Sequence, residues 1–174
     1  MKKARAPIIA GLFLAGIGLT APSFLLYNPT NSMPVGMWFI HPVMRDLSHG
    51  DVVTVCLSDN VGELAKQRGY IGSGDCIGNR LALLKPVAAV PGDTVEVSIE
   101  GISVNGQPIT YSAAMSADAA GRPLDPVSEG RYSVEPGTVW LVSSHDPRSF
   151  DSRYFGPVSL SSIRRVAYPL WTKD

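Results

Sequence analysis

The chain has 174 residues, with 15 basic and 15 acidic side chains and no formal net charge at neutral pH. That balance leaves no basic surface of the kind a phosphate backbone demands, which excludes nucleic acid as a partner. The length suits one compact domain with a small appendage, and the 17 glycines and 14 prolines favour short strands joined by tight turns over long helices.

Lys2, Lys3 and Arg5 precede an uncharged run from Ala6 to Tyr27. About 20 apolar residues cross a hydrocarbon core, so the run is long enough for one membrane helix. The leading positive charges place its start in the cytoplasm and send the rest outward. A cleaved secretory signal is the competing reading, but Pro22 directly after Ala21 disfavours cleavage there. The expected organisation is a lipid-embedded anchor over residues 1–27 and an extracytoplasmic domain over residues 28–174. In a bacterium that means inner membrane, with a cytoplasmic N-terminus and a periplasmic body.

Asn28 to Gly36 follows, a turn-like segment in which Ser32 lies between Pro29 and Pro34. Such a serine sits just outside the bilayer, though serine between turn residues is ordinarily only a turn residue. Met37 to Ile40 reads as a short strand and Asp51 to Leu57 as a strand rich in β-branched residues. Ser58 to Tyr70 is expected to hold a short helix capped by Asp59 or Asn60, with Lys66 and Arg68 near its end and Gly69 as its stop. Arg80 to Val90 is a second strand, apolar on both faces and interrupted by Lys85.

Pro91-Gly92-Asp93 is a turn. Thr94 to Ile99 and Gly101 to Val104 form a hairpin around Glu100-Gly101, and Asn105-Gly106 turns the chain again. Ser112 to Arg131 has no periodicity and reads as a mobile loop beside the substrate. Thr138 to Ser143 and Ile163 to Leu170 are the remaining strands. The three histidines, His41, His49 and His145, are isolated, and no spacing fits a metal site or a cofactor. Export would put Cys56 and Cys76 in an oxidising compartment, which favours a disulfide over two separate buried thiols.

Two residues can do covalent chemistry together. A lysine inside an apolar strand is desolvated, which lowers its pKa and leaves a neutral amine able to act as a general base. The plainer reading is a lysine whose head snorkels to the sheet edge. A serine hydroxyl needs such a base to become a nucleophile, and Ser–Lys dyads are one of the convergent solutions. Ser32 and Lys85 are the candidates.

Thr30-x-Ser32-Met33-Pro34, Lys85 followed by Pro91-Gly92-Asp93, and Ser149-x-Asp151-Ser152-Arg153-x-x-Gly156 together resemble, in order, the boxes of type I signal peptidases. Ser32-Met33-Pro34-Val35-Gly36, Lys66 to Tyr70, the two cysteines, Val104-Asn105-Gly106, Ala120 to Leu124 and Ser149 to Pro157 are similar to the small TraF-type branch of conjugative transfer. The resemblance covers nearly the whole chain. It implies a mainly β, signal-peptidase-like antiparallel catalytic domain behind one N-terminal transmembrane helix.

The resemblance also implies roles. Ser32 matches the nucleophile and Lys85 the general base. The Ser32 N–H and the Thr30 hydroxyl match the oxyanion hole. Ser149 matches the serine that orients the lysine, and Asp151 and Arg153 match a supporting pair, with Asp151 expected to help orient the base. Met33 and Pro34 are assigned to the substrate pocket from adjacency alone. The implied activity is a membrane-anchored serine endopeptidase that cuts exported precursors after small residues. A pilin precursor is the favoured substrate, with hydrolysis or peptide cyclisation ending the cycle. A housekeeping signal peptidase and a non-catalytic pilus-assembly module are the alternatives. Two departures stand out: Pro86 replaces the arginine usual after the lysine, placing the strand at an edge or on a bulge, and Ser143-Ser144-His145 replaces Gly-Asp-Asn.

Overall fold

A computed structural model of the chain describes residues 24–173. The expected anchor lies outside the described residues except for its last four. Of these, Leu25, Leu26 and Tyr27 open the first strand, β1 (Leu25–Asn28), instead of ending a membrane helix. Among the described residues no helix is long and apolar enough to cross a membrane.

The body is mainly antiparallel β. The strands after β1 are β2 (Val35–His41), β3 (Val52–Val55), β4 (Leu83–Ala89), β5 (Thr94–Ser98), β6 (Gly101–Val104), β7 (Gln107–Pro108), β8 (Gly130–Ser133), β9 (Thr138–Leu141), β10 (Val158–Ser159) and β11 (Ile163–Lys173). Among the described residues the α-helices are α1 (Asp59–Gln67) and a single turn, α2 (Ser152–Phe155), and a 3-10 turn spans Leu160–Ser162. A seven-stranded sheet runs in the order β1-β2-β11-β3-β4-β9-β10, and a four-stranded sheet runs β7-β6-β5-β8. The last strand in sequence lies third in the large sheet and joins the N-terminal hairpin to β3. It outruns its expected end at Leu170 because a bulge between Pro169 and Trp171 absorbs the proline.

Local chemistry explains most of these elements. Alternating burial along β5 and β6 points Val95, Val97, Ile102 and Val104 inward, where they pack on Ala89, Val134 and Trp140. Asn105 and Gly106 both take positive φ, 51° and 77°, the conformation that a two-residue hairpin turn requires. A second core of Val53, Val55, Leu57, Leu83, Val87, Val139 and Leu141 fills the space beneath α1.

Three sequence expectations change in the fold. Helix α1 stops as expected, with Arg68 as its C-cap and Gly69 at positive φ, but neither Asp59 nor Asn60 caps its start: Ser58 holds the cap position without a side-chain bond, and the Asp59 carboxylate is taken by Arg80 at 2.5 Å. Strand β4 begins at Leu83, because Arg80 pairs back on Cys76 and buries its guanidinium against α1. Pro86 does not mark an edge, since β4 lies inside the large sheet; the bulge is found, between Val87 and Ala89 against β9. The proline is tolerated for a directional reason. Val87 points both its N–H and its C=O towards the β3 side, to Asp51 and Gly50. Alternation therefore aims the Pro86 nitrogen the other way, where pairing with β9 starts only at Val87.

Cys56 and Cys76 form a disulfide, with Cα atoms 5.6 Å apart. It closes a loop of 20 residues that contains α1, a closure worth roughly 3 kcal/mol on the chain-entropy account. The segment 112–131, expected to be mobile, is tied down by Asp118. That carboxylate accepts the Tyr70 hydroxyl at 2.5 Å, Arg122 Nε at 2.7 Å, and the N–H groups of Ala120 and Arg122 at 2.9 Å each. These bonds, the Tyr70 hydroxyl foremost, hold Asp118 well below the usual carboxylate range. Arg68 donates to Pro123 O and accepts from Arg122 at its own carbonyl, which completes the attachment to the end of α1.

Candidate active site

The turn between β1 and β2 carries Ser32, and a buried asparagine shapes it. Asn28 Nδ2 donates to the carbonyls of Thr30 (2.9 Å), Met33 (2.9 Å) and Pro34 (3.1 Å), sharing two hydrogens among three acceptors. Its Oδ1 accepts from Thr30 N and Thr30 Oγ1. One amide side chain thus replaces the backbone ladder across the turn. Gly36 is needed at the far end: with φ at 144°, a Cβ there would lie 2.1 Å from Trp171 O.

Ser32 is partly exposed, Thr30 exposed and Met33 buried. Two residues expected in the substrate pocket lie elsewhere. Met33 packs into the core beside Trp38, Leu84 and Ala167, and Pro34 uses its carbonyl to accept from Trp38 Nε1. Neither lines the cleft beside Ser32.

Lys85 projects from β4 with 2% of its surface exposed. It pairs with Val53 on one side, while on the other the sheet opens into a cleft before β9 joins at Val87. Its Nζ lies 2.7 Å from Ser32 Oγ, 53 residues away in sequence. Burial pushes the ammonium down from 10.5 to about 8; Asp151 pulls it back up, Arg153 lowers it further and Asp146 raises it. An amine in that state can take the proton of the alcohol beside it.

The cleft encloses about 980 Å³. Ser32, Lys85, Ser149 and the open edge of β4 lie along it, and Tyr70, Met115 and Tyr154 wall it. The loop segment tied to Asp118 therefore forms one side of the cavity. Ser149 Oγ is buried, with no hydrogen-bond partner among the described residues. Thr30 Oγ1 lies 2.9 Å from Asn28 Oδ1, which can only accept, and 3.2 Å from Ser32 Oγ. The Ser32 N–H has no partner among the described residues.

Asp151 and Arg153 are buried, at 0% and 1% exposure. Arg153 grips the carboxylate with Nε (2.8 Å) and Nη2 (3.0 Å). It spends its remaining hydrogens on the carbonyls of Ser143, Tyr111 and Pro147. Asp151 was expected to orient the lysine, yet it makes no hydrogen bond to Lys85: its carboxylate goes to Arg153 and to the Ser143 N–H. Its influence on the amine is through space alone.

Sequence reasoning missed Asn28 and Ser143. Asn28 carries a weak local signal, an asparagine opening a Pro-Thr turn. Ser143 shows only as part of the departure from Gly-Asp-Asn, and its bond to the Ser32 carbonyl, 111 residues away, has no local signal.

The sequence profile described as signal peptidase, peptidase S26, matches residues 3–171. The plasmid transfer protein TraF of Escherichia coli is 38% identical over 165 residues, covering 94% of this chain and 90% of that protein. The conjugal transfer protein TraF of Agrobacterium fabrum is 38% identical over 170 residues, covering 95% and 93%. Signal peptidase I of Mycobacterium tuberculosis is 37% identical over 81 residues, only 44% of this chain and 28% of that protein. A crystal structure of a signal peptidase I from Enterococcus faecalis V583 aligns over 71% of this chain and 98% of its own, with a TM-score of 0.40 and 19% identity. The chain belongs to the signal peptidase family, peptidase S26.

Proposed function

We propose that this protein is a membrane-anchored serine endopeptidase in which Ser32 is the nucleophile and Lys85 the general base. The observation that carries the reading is the 2.7 Å approach of a buried amine to a partly exposed hydroxyl at the mouth of a cleft. Neutral Lys85 removes the Ser32 proton as Oγ attacks the scissile carbonyl. The protonated amine then delivers that proton to the leaving nitrogen, and a second nucleophile releases the acyl group. The Ser32 N–H stabilises the oxyanion, and Thr30 adds a second donor by turning its hydroxyl from Asn28. Ser149 lies in the same cleft, in keeping with a role beside the amine. Asp151 and Arg153 support the site from behind.

The peptide lies extended against the open edge of β4, with small side chains before the cut. The near-complete match to transfer proteins of conjugation, against a partial match to a signal peptidase I, supports a conjugative precursor over general secretion. A pilin precursor in the periplasm is the proposed substrate. The body works at the membrane surface, anchored by the apolar N-terminal run.

The test is to incubate detergent-solubilised protein with candidate pilin precursors and weigh the products. One cut after a small residue is expected, absent with Ser32→Ala; hydrolysed and cyclised products differ by one water. Intact precursors throughout would defeat the assignment.

A pH profile gives a separate check. The base works as the neutral amine, so kcat/KM should rise about tenfold per pH unit on the acid side and level off above about 8. The readout is cleavage of an internally quenched peptide with Ala-x-Ala before the cut, and a flat profile across that range would mean that no lysine titrates in the rate.

A further inference from the structure

Ser143 lies two residues beyond β9, fully buried between the Ser32 turn and the Asp151–Arg153 pair. Every polar group it owns is engaged. Its N–H donates to Asp151 Oδ2 at 3.0 Å, and its carbonyl accepts from Arg153 Nη2 at 3.0 Å. Its hydroxyl accepts from the His145 N–H at 3.1 Å and donates to the backbone carbonyl of Ser32 at 2.5 Å, across 111 residues of sequence. A buried serine ordinarily satisfies its hydroxyl on the nearest carbonyl and does nothing more. This one spends its single proton on the residue that carries the reactive oxygen.

We propose that Ser143 is a positioning residue that couples the buried ion pair to the nucleophile; the proposal rests on the reading of Ser32 given above. The ion pair clamps the Ser143 backbone on both sides, which leaves its hydroxyl a fixed anchor. That anchor sets the orientation of the Ser32–Met33 peptide plane, and with it the direction in which Ser32 Oγ leaves the backbone. Asn28 grips the same turn from the β1 side, at Thr30, Met33 and Pro34. Ser143 supplies the hold at Ser32 itself. It also accounts for why Asp151 and Arg153 belong to the site without touching Lys85: they act on the alcohol, by way of Ser143, more than on the amine. An attacking atom displaced by about 1 Å costs a reaction on the order of 100-fold in rate.

The test is Ser143→Ala in the full chain, assayed on the quenched Ala-x-Ala peptide, with Ser144→Ala, an exposed neighbour, as control. The alanine variant keeps both backbone bonds to the ion pair and loses only the hydroxyl. Its kcat should fall about 10- to 100-fold with KM within about twofold. The midpoint of its pH profile should stay at the wild-type position, because the amine is untouched, and Ser144→Ala should match wild type. Wild-type kcat in Ser143→Ala, a loss confined to KM, or a moved pH midpoint would each overturn the proposal. Amide exchange on the same variants covers early melting: faster exchange confined to residues 30–36 supports the coupling, and loosening spread equally over the sheet refutes it. Cleavage by Ser32→Ala would instead show that the underlying reading of Ser32 is wrong.

Discussion

Lys85→Met should yield a folded, more stable protein with no peptidase activity. The loss follows from removing the proton acceptor 2.7 Å from Ser32 Oγ; single knock-outs within a nucleophile–base unit cost on the order of 10⁴-fold or more. The gain in stability follows from burial. Lys85 titrates at about 8 in the folded chain against an ordinary 10.5, so the native state binds its proton more weakly than the unfolded state. The penalty of burying the ammonium is therefore complete below about pH 8. It is relieved as pH rises towards 10.5, where the folded amine is neutral while the unfolded one still carries its charge. Methionine fills a similar volume and never carries that penalty. The advantage in Tm should be largest below pH 8 and shrink above it, and melting curves at several pH values read it directly. Retained cleavage would remove Lys85 from the mechanism, and an unchanged Tm would show that its charge is not desolvated.

Asp151→Ala should be the most destabilising single change in the site, at about 3–5 kcal/mol. Arg153 would be left buried with its charge unpaired, and the Ser143 N–H would lose its acceptor. Desolvating an isolated guanidinium costs more than the pair returns in attraction, so removing both partners is the milder insult. Asp151→Ala combined with Arg153→Met should therefore unfold at a higher denaturant concentration than Asp151→Ala alone. A single variant as stable as wild type, or a double variant with strictly additive losses, would mean that water reaches the pair. Cleavage by Asp151→Ala should fall as well, measured well below its lowered Tm so that unfolding does not contribute.

Much of the fold is readable along the chain because its rules are local. Two-residue alternation marks β5 and β6, β-branched runs mark β3, and Asn105-Gly106 has the φ > 0 pair that a tight hairpin turn demands. Lys85 stands out in an apolar strand for the same reason: a charge there is an exception that needs a use. The misread elements are those in which a remote partner outbids a local one. Asp59 reads as a helix cap, but Arg80 offers its carboxylate a charged donor. Arg80 and Leu81 read as strand, but they bond back to Cys76 and Gly72 of the disulfide loop. Met33 and Pro34 look like cleft residues by adjacency, but the turn that Asn28 holds carries Met33 into the core.

From residue order alone come the short-strand composition, the apolar N-terminal run, the serine in a proline-bounded turn and the lysine that an apolar strand cannot keep charged without cost. These depend on neighbours within a few positions, where sterics and burial act through the chain itself. The Ser32–Lys85 pairing is reachable in advance through its chemistry and the order of the family's boxes, but the folded molecule alone decides the rest: Ser143 with the Ser32 carbonyl, and the Asp151 carboxylate with a backbone N–H in place of the amine. Those pairings depend on which strands neighbour which in the sheets and on where β9 joins β4. Hydrogen bonds reach only about 3 Å, so a contact such as that of Ser143 with the Ser32 carbonyl, 111 positions apart, has no local signal in the order of the amino acids.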